Sequence, residues 1–426
     1  MRGRLGVYSR MAKGSWPRIS IPLPVRVVGF LVGGLALGLA FPNSALVQAV
    51  YTSGTYFPRT VVTFAAFLIF NLLAAAMAKL ILFHGEKAGK MFSLILSMYV
   101  LMGAISLIWA TGWIAVLSDL PFSLPGVKVP GPTAWVIQIG RTFAGVLTQQ
   151  PLLQALAGAL LTGWISAKIP ALNPIAHGFI AAGDWILRLF KKLLWYYPIM
   201  IGCLAIGIPM KFGTRGIALY GQGVLWDMIV VCTFCFCTVL LCRFCTRRTW
   251  KQILSYYGTV WPTGFGTGGS YDTLAVNVIS AENDLGLDRE VAEVSIVFGT
   301  VLNKNCSTMS VLIVTIIVAK LLDVRVSMTE MIMMIPPVMI LGLESPGIPG
   351  GAGYFMAPII AVLLDVPDQG VWITTFVACF SGLIPMFSAA GNTTCDGVVG
   401  ALLQDRFGHL LGKRKEEARI VAAQRR

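Results

Sequence analysis

Residues 298–307 read Phe-Gly-Thr-Val-Leu-Asn-Lys-Asn-Cys-Ser, which places a polar, charged run between two apolar segments. The surrounding stretch, 291–322, is long enough to cross a bilayer, because about 20 apolar residues with a rise of about 1.5 Å each suffice. Lys304 then lies near the middle of the membrane, where charged side chains usually mark an ion or substrate pathway. Asn303 and Asn305 beside it favour hydrogen bonds with the backbone over a continuous helix. The stretch predicts a helix broken in mid-membrane, and the alternative is a kink at which Lys304 pairs with a buried acid.

The composition identifies the class of protein. The chain has 426 residues, of which 56% are hydrophobic and 12% charged; about a quarter of the residues of a water-soluble globule are charged. The net charge of +14 comes from basic residues at segment ends and tails, so it indicates membrane topology and not nucleic-acid binding. The nine cysteines lie mostly inside apolar runs, which is typical of buried thiols. We therefore expect a multi-pass protein of the cell's inner (plasma) membrane.

The apolar segments predict an all-α integral membrane protein with about eight transmembrane helices and both termini in the cytoplasm. Basic tails are expected at 1–20 and 406–426. The predicted spans lie at about 21–41, 51–83, 91–116, 134–170, 175–208, 219–241, 291–322 and 371–403.

Two further segments, 252–281 and 327–364, each consist of two short apolar halves around a tip rich in glycine. Neither half is long enough to cross a bilayer, so each segment predicts a re-entrant helical hairpin whose tip is satisfied by protein or water. Two hairpins that flank a broken span indicate an inverted repeat, which is typical of transporters.

These positions resemble the dicarboxylate/amino acid:cation symporters, a family that includes the glutamate transporters. The family's motifs are Asn-Met-Asp-Gly-Thr in the broken span, Gly-Val-Pro-Gly in the second hairpin, Asn-Val-x-Gly-Asp in the last span, a serine-rich tip before Thr-Leu-Pro in the first hairpin, and Tyr-x-Pro-Ile in span five. The similar stretches here are Asn303–Ser307, Gly347–Gly350, Asn392–Asp396, Gly268–Ala275 and Tyr196–Ile199.

The resemblance implies an elevator-type transporter that forms a homotrimer in the lipid bilayer. Its scaffold would comprise 21–90 and 118–216, and its mobile transport domain 91–117 and 217–405. Each protomer would carry its own small-molecule substrate.

The resemblance also implies a substrate site formed by the hairpin tips, the broken span and the last span. The residues at these positions are Ser270, Asp272, Thr273, Ser307, Ser345, Gly347, Pro349, Gly350, Ser388 and Asn392. In the family's acidic amino acid transporters, an arginine and an aspartate three residues before it bind the substrate, but Ser388 and Pro385 stand there in this chain. Neither side chain replaces those charges. We therefore expect another small amino acid or carboxylate as the substrate.

Cation coupling is also expected to differ from the family pattern. One sodium site of the family is implied at Gly299, Asn303, Asn392 and Asp396, which offer the oxygen ligands of hard cations. A second site relies on an acid where this chain has Asn305, so we expect it to be lost. No cofactor beyond a sodium ion or a proton is implied.

Lys304 stands where the family has methionine. Our leading hypothesis is that it acts as a tethered cation beside Asp396, which makes transport sodium-independent or proton-linked. The alternatives are that Lys304 binds a substrate carboxylate, or that it forms a structural ion pair with Asp396, Asp272 or Glu344. Glu344 is also a candidate proton carrier, because burial favours the protonated form of a carboxyl group.

The leading functional interpretation is secondary active transport of a small organic solute by alternating access. The alternative is a solute-gated or anion-conducting channel on the same fold, which would give ohmic currents without exchange. An enzyme is not expected, because the sequence has no HExxH motif, nucleophile elbow or phosphate-binding loop in a strand–helix context.

Overall fold

The computed structural model describes residues 23–84, 88–123, 151–193, 196–342, 345 and 349–411, and every regular element in these ranges is helical. The helices of the first half are α1 (Leu23–Ala40), α2 (Ala45–Thr63), α3 (Ala65–His84), α4 (Ala88–Leu117), α5 (Pro151–Lys168), α6 (Asn173–Leu193) and α7 (Tyr197–Cys245). Those of the second half are α8 (Trp250–Thr267), α9 (Ser270–Asn283), α10 (Arg289–Leu302), α11 (Asn305–Leu321), α12 (Met328–Met333), α13 (Ile335–Gly342), α14 (Gly351–Leu363), α15 (Gln369–Phe380) and α16 (Leu383–Leu411).

The first helices form two packed groups. Helices α3, α5 and α6 pack on one another, and α1 and α2 pack along the first part of α7. The approach of α1 to α7 is close, because Cβ atoms at Gly34 and Gly38 would collide with the carbonyl oxygens of Gly202 and Ile206. Small residues at such a contact let two membrane helices approach closely.

Two predicted continuous spans are divided in the structure. The expected helix over 175–208 is interrupted at Tyr196, which lies in a turn, and α7 begins at Tyr197 with Pro198 in its first turn. Proline is favoured there, since the first N–H groups of a helix have no intrahelical partner. The predicted second span, 51–83, is interrupted between Thr63 and Ala65.

Helix α7 covers both the end of the predicted fifth span and the whole predicted sixth span. Its 49 residues would measure about 74 Å if straight, far more than the hydrocarbon thickness of about 30 Å. It bends at Gly213, whose backbone is non-helical with φ 58° and ψ −147°. The bend divides α7 into a shorter segment, 197–212, and a longer segment, 214–245, which is long enough to span the bilayer.

The predicted break in the central span is confirmed. Helix α10 ends at Leu302, Asn303 and Lys304 are non-helical, and α11 begins at Asn305. Helix α11 packs on α4, α7, α14, α15 and α16. Every residue of Val291–Leu321 is buried except Glu293, Val297 and Lys320, so this broken span is the core of the second half.

Both predicted hairpins are confirmed as paired helices around a turn. In the first hairpin, α8 and α9 meet at Gly268, which has a left-handed φ of 65°. The second hairpin consists of α12 and α13 on one side and α14 on the other. Part of its tip lies outside the described residues.

The predicted single span over 371–403 consists of two helices, α15 and α16, bent by 66°. Gly382 at the bend has a φ of 89°. Pro385 lies in the first turn of α16, where its missing N–H is tolerated, although it would disrupt a continuous helix.

Three helical stretches in the described residues are long and apolar enough to cross a bilayer, namely Phe92–Leu117, Tyr197–Cys245 and Val291–Leu321. The bent pair α15–α16 makes a fourth, and several shorter helices are also apolar. The predicted total of about eight spans stays a prediction, because much of 134–170 and both tails lie outside the described ranges.

Candidate functional site

A small cavity lies where the hairpin tips, the broken span and the last span meet. It is lined by Gly268, Gly269, Ser270, Lys304, Ser307, Ser345, Gly350, Gly351, Ala352, Phe380, Pro385, Ala389 and Asn392. Every element that the sequence assigns to the substrate site therefore contributes to one cavity.

Three helix N-termini converge on this cavity. The N-cap residues of α9, α11 and α14 are Gly269, Lys304 and Gly350, and all three line it. The N-terminus of a helix has unpaired N–H groups and a partial positive charge of about half a unit. Among the described lining residues, Lys304 alone carries a full charge. Both features favour an anionic group in the cavity.

Lys304 is almost fully buried, with 3% of its surface exposed. Its Nζ atom donates a hydrogen bond to the carbonyl oxygen of Thr300 at 2.6 Å. Because α10 ends at Leu302, this carbonyl belongs to the last turn of the helix, which lacks intrahelical donors and has a partial negative charge. The break in the span thus leaves the Thr300 carbonyl free to accept a hydrogen bond from the ammonium group of Lys304.

No acid forms an ion pair with Lys304 within 4.0 Å among the residues whose side chains are described. Asp396 is the acid that acts on it electrostatically. Glu344 lies outside the described residues.

Behind the cavity, oxygen and amide groups form a second cluster around Asp396. Its Oδ1 atom accepts hydrogen bonds from Asn303 Nδ2 at 2.7 Å and from the Tyr99 hydroxyl at 3.4 Å. Asn303 Nδ2 also donates to the carbonyl oxygen of Asn392 at 2.8 Å. Gly299 lies against this cluster, since a Cβ atom there would collide with Asp396 Oδ1 and the Tyr99 hydroxyl. The four residues implied as a sodium site are therefore neighbours.

The cluster leaves one buried acceptor unused. Asp396 Oδ2 is inaccessible to solvent and has no hydrogen-bond partner among the described atoms. A buried carboxylate oxygen without a partner is costly, so the geometry fits a positive group or a proton beside it. The carboxylate and the nearby carbonyl oxygens of Asn303 and Asn392 are of the type that hard cations bind.

Ser307 and Asn392 connect the cavity with this cluster. Asn392 Nδ2 donates to Ser307 Oγ at 2.9 Å, and Asn392 Oδ1 accepts from the backbone N–H of Cys306 at 2.8 Å. The side chain of Asn392 thereby fixes the first turn of α11 to α16. Ser345 also lines the cavity, and its buried hydroxyl has no partner among the described atoms.

Other predicted site residues lie outside the cavity lining. Thr273 is buried and supports the first hairpin tip through a hydrogen bond from its hydroxyl to the carbonyl of Gly269 at 2.9 Å. Ser388 pairs with Ser310 on α11, with 2.7 Å between the two Oγ atoms.

The remaining predicted residues belong to the hairpins. Asp272 is partly exposed in the first turn of α9. Pro349 lies beside Gly268, so the two hairpin tips are adjacent. Gly347, like Glu344, lies outside the described residues.

Sequence reasoning missed two contributors to the site and one further buried acid outside it. Thr300 acts through a backbone carbonyl, which no side-chain pattern reveals. Tyr99 lies outside every motif that carries the family resemblance, yet its hydroxyl donates to the Ser295 carbonyl at 2.9 Å beside Asp396. Asp227 is a fully buried acid in α7, and its position within an apolar span was a signal that could have identified it.

Comparison with known proteins agrees with this architecture. The sodium:dicarboxylate symporter family matches residues 23–406. The serine/threonine transporter SstT of Lacticaseibacillus paracasei is 23% identical over 359 residues, which are 80% of this chain and 79% of that protein. An excitatory amino acid transporter of Onchocerca volvulus is 23% identical over 196 residues, which are 45% of this chain and 39% of that protein. Excitatory amino acid transporter 2 of Mus musculus is 20% identical over 196 residues, 45% of this chain and 34% of that protein.

The match to the excitatory amino acid transporters thus spans less than half of their length, whereas the match to SstT covers most of both chains. The family match covers nearly all of the described helices and both halves of the cavity. The chain therefore belongs to the sodium:dicarboxylate symporter family, whose members are membrane transporters and not enzymes.

Proposed function

We propose that this protein is a secondary active transporter of a small solute that bears a carboxylate group, such as an amino acid or a carboxylic acid. The observation that carries the proposal is the cavity in which Lys304 and three helix N-termini converge. Helix N-termini of broken membrane helices bind anionic substrate groups in other transporters. The hydroxyl groups of Ser270, Ser307 and Ser345 supply neutral polar contacts for the rest of the solute.

Acidic amino acids bound in the family's usual manner do not fit this cavity. Pro385 lines it but offers no charge, and Ser388 is engaged with Ser310. No described lining residue would then pair with the amino group and second carboxylate of such a substrate.

In this proposal Lys304 takes the place of a coupling sodium ion. Its ammonium group binds a carbonyl at the C-terminal end of α10, which is the kind of group that coordinates sodium in broken transporter helices. Its charge also acts on Asp396, whose second oxygen has no described partner. A fixed cation at this point removes the need for a sodium ion in the same cluster.

The same proposal includes elevator movement and a homotrimer, both of which rest on the family pattern. The packing supports the division, since α11 packs on α4, α7 and the later helices while α3, α5 and α6 pack together. Native mass spectrometry in detergent is expected to give the mass of three chains, and a monomer would contradict the trimer.

Ligand binding tests the proposed substrate class. Purified protein is screened by thermal shift against amino acids and carboxylic acids without sodium, because a ligand that binds the folded state raises its apparent stability. We expect small carboxylate-bearing solutes to stabilise the wild type. Stabilisation only by acidic amino acids, and only with sodium, would contradict the proposal.

The variant Lys304→Met tests the role of the lysine, and Lys320→Met on the same helix is the matched control. Lys320 lies outside the cavity, with its Nζ atom 5.0 Å from the centre of the Trp226 ring. We expect Lys304→Met to lower affinity by about tenfold or more, since a hydrogen bond to a charged group contributes about 1.5–3 kcal/mol. Restoration by sodium indicates that Lys304 replaces the ion, whereas a loss that sodium does not reverse indicates a direct contact with the substrate carboxylate.

A further inference from the structure

Asp227 is a buried acid that the cavity and the Asp396 cluster do not use. It lies on α7, within the apolar segment predicted as the sixth span, and none of its surface is exposed. Neither carboxyl oxygen has a hydrogen-bond partner among the described atoms. A polar group in this position is unusual, because buried carboxyl groups are normally paired or hydrogen-bonded.

The groups around Asp227 include no countercharge. The Ser310 hydroxyl on α11 acts on the carboxyl group as a hydrogen-bonding group, although it does not meet the full geometry of a hydrogen bond. The titratable groups that act on or are influenced by the acid are Tyr220 and Cys232 on α7 and Cys306 on α11. Among the residues described for α1, α2, α4, α8, α15 and α16, which also pack on α7, no charged or titratable side chain acts on it. The cation of Lys320 is held over the Trp226 ring instead.

An ionised carboxylate in such surroundings would be strongly unfavourable, so the neutral acid is the stable form in this conformation. A metal ion fits less well. Hard cations take about six oxygen ligands, whereas the described surroundings supply one hydroxyl, and Ser310 already donates to the carbonyl of Cys306 at 2.9 Å.

Ser310 links this acid to the helix that lines the cavity. Its hydroxyl lies 2.7 Å from that of Ser388 on α16. Ser388 is three residues after Pro385 and four before Asn392, both of which line the cavity. This pair of hydroxyl groups connects the surroundings of Asp227 with the helix that lines the cavity.

We propose that Asp227 is a proton-binding site of the transport cycle, which binds a proton in this buried conformation and releases it when another conformation admits water. The proposal rests on the proposed function, because it assumes that the chain moves a solute. It assigns proton coupling to a residue outside the Lys304–Asp396 region.

Uptake of a solute identified by the thermal-shift screen, measured in proteoliposomes with and without an inward proton gradient, tests the proposal. Wild-type uptake is expected to rise with the gradient. Asp227→Asn imitates the neutral acid, so we expect it to retain binding and solute exchange but to lose the stimulation. Asp323→Asn is the matched control, since the Asp323 side chain is 78% exposed and pairs with Arg215 on the surface.

A gradient effect that persists in Asp227→Asn overturns the proposal, as does wild-type transport that no proton gradient stimulates. If Asp227→Asn does not fold, proton entry is measured with a pH-sensitive dye inside liposomes that contain the wild type. Solute entry is expected to acidify the interior, and an unchanged dye signal contradicts the proton site. Failure of the proposed function is distinguishable, since the wild type would then neither bind nor transport any carboxylate solute.

Discussion

Among the described residues, the hydrogen-bond partner of Lys304 is a backbone carbonyl, and Asp396 acts on it electrostatically without an ion pair within 4.0 Å. The ammonium group binds the carbonyl of Thr300 at 2.6 Å, at the end of a helix that stops in the protein core. The partial negative charge of that helix end compensates part of the cost of burying the ammonium group. The break in the span therefore provides the hydrogen-bond acceptor of this buried lysine.

Gly299 packs so closely against the Asp396 cluster that there is no space for a side chain. A Cβ atom there would collide with Asp396 and Tyr99, so Gly299→Ala is expected to destabilise the protein by about 1–3 kcal/mol. Gly112→Ala on α4 is the control, because no atom lies within 4 Å of its Cβ position. Thermal unfolding in detergent should separate the two variants, and equal midpoints would contradict the packing described here.

Lys304 and Asn303 were singled out because polar residues within an apolar span stand out, whereas Asn392 and Asp396 were implied by the family resemblance. The sequence could not identify the carbonyl of Thr300 as the lysine's partner, since the break exposes that group only in three dimensions. The alternative partners Asp272 and Glu344 were equally acceptable from spacing alone.

Proline and glycine residues mark the points at which the predicted spans are divided or bent. Pro385 and Gly382 divide the last span, Pro198 starts α7, and Gly213 bends it. The sequence predicted the two hairpins and the central break from short apolar halves and clustered polar residues. It did not predict the divisions in the other spans, because proline and glycine inside an apolar run are also compatible with a continuous membrane helix.

The contact between α1 and α7 provides a test at the level of elements. Gly34 faces the backbone of Gly202, whereas its neighbour Gly33 has no atom within 4 Å of its Cβ position. Gly34→Val should therefore separate the two helices and lower the thermal midpoint, and Gly33→Val should change it little. Similar midpoints would show that the two helices are not in close contact.

In the molecule as a whole, α11 packs against α4, α7, the second hairpin and the two helices of the last span. One arginine also joins three parts of this assembly. Arg248, after the end of α7, donates to the carbonyls of Leu285 and Gly286 at 2.7 and 2.9 Å and to Asp405 Oδ1 at 3.1 Å. These bonds connect the long helix, the segment between the first hairpin and the broken span, and the end of α16.

Arg248→Met is expected to destabilise the protein by about 3 kcal/mol, because it leaves Asp405 and two carbonyl groups without their partner in a mostly buried site. Arg289→Met is the control, since its bond with Glu293 lies on the surface and exposed ion pairs contribute little. Chemical unfolding of both variants in detergent measures the difference. An equal effect of both substitutions would contradict the role assigned to Arg248.

In the proposed mechanism, the fixed ammonium group of Lys304 replaces a coupling sodium ion. Initial uptake of a carboxylate solute into proteoliposomes, compared between an inward sodium gradient and an equal choline gradient, tests it most directly. We predict equal rates for the wild type and a gain of sodium dependence in Lys304→Met. Wild-type uptake that rises steeply with the sodium gradient would contradict this mechanism.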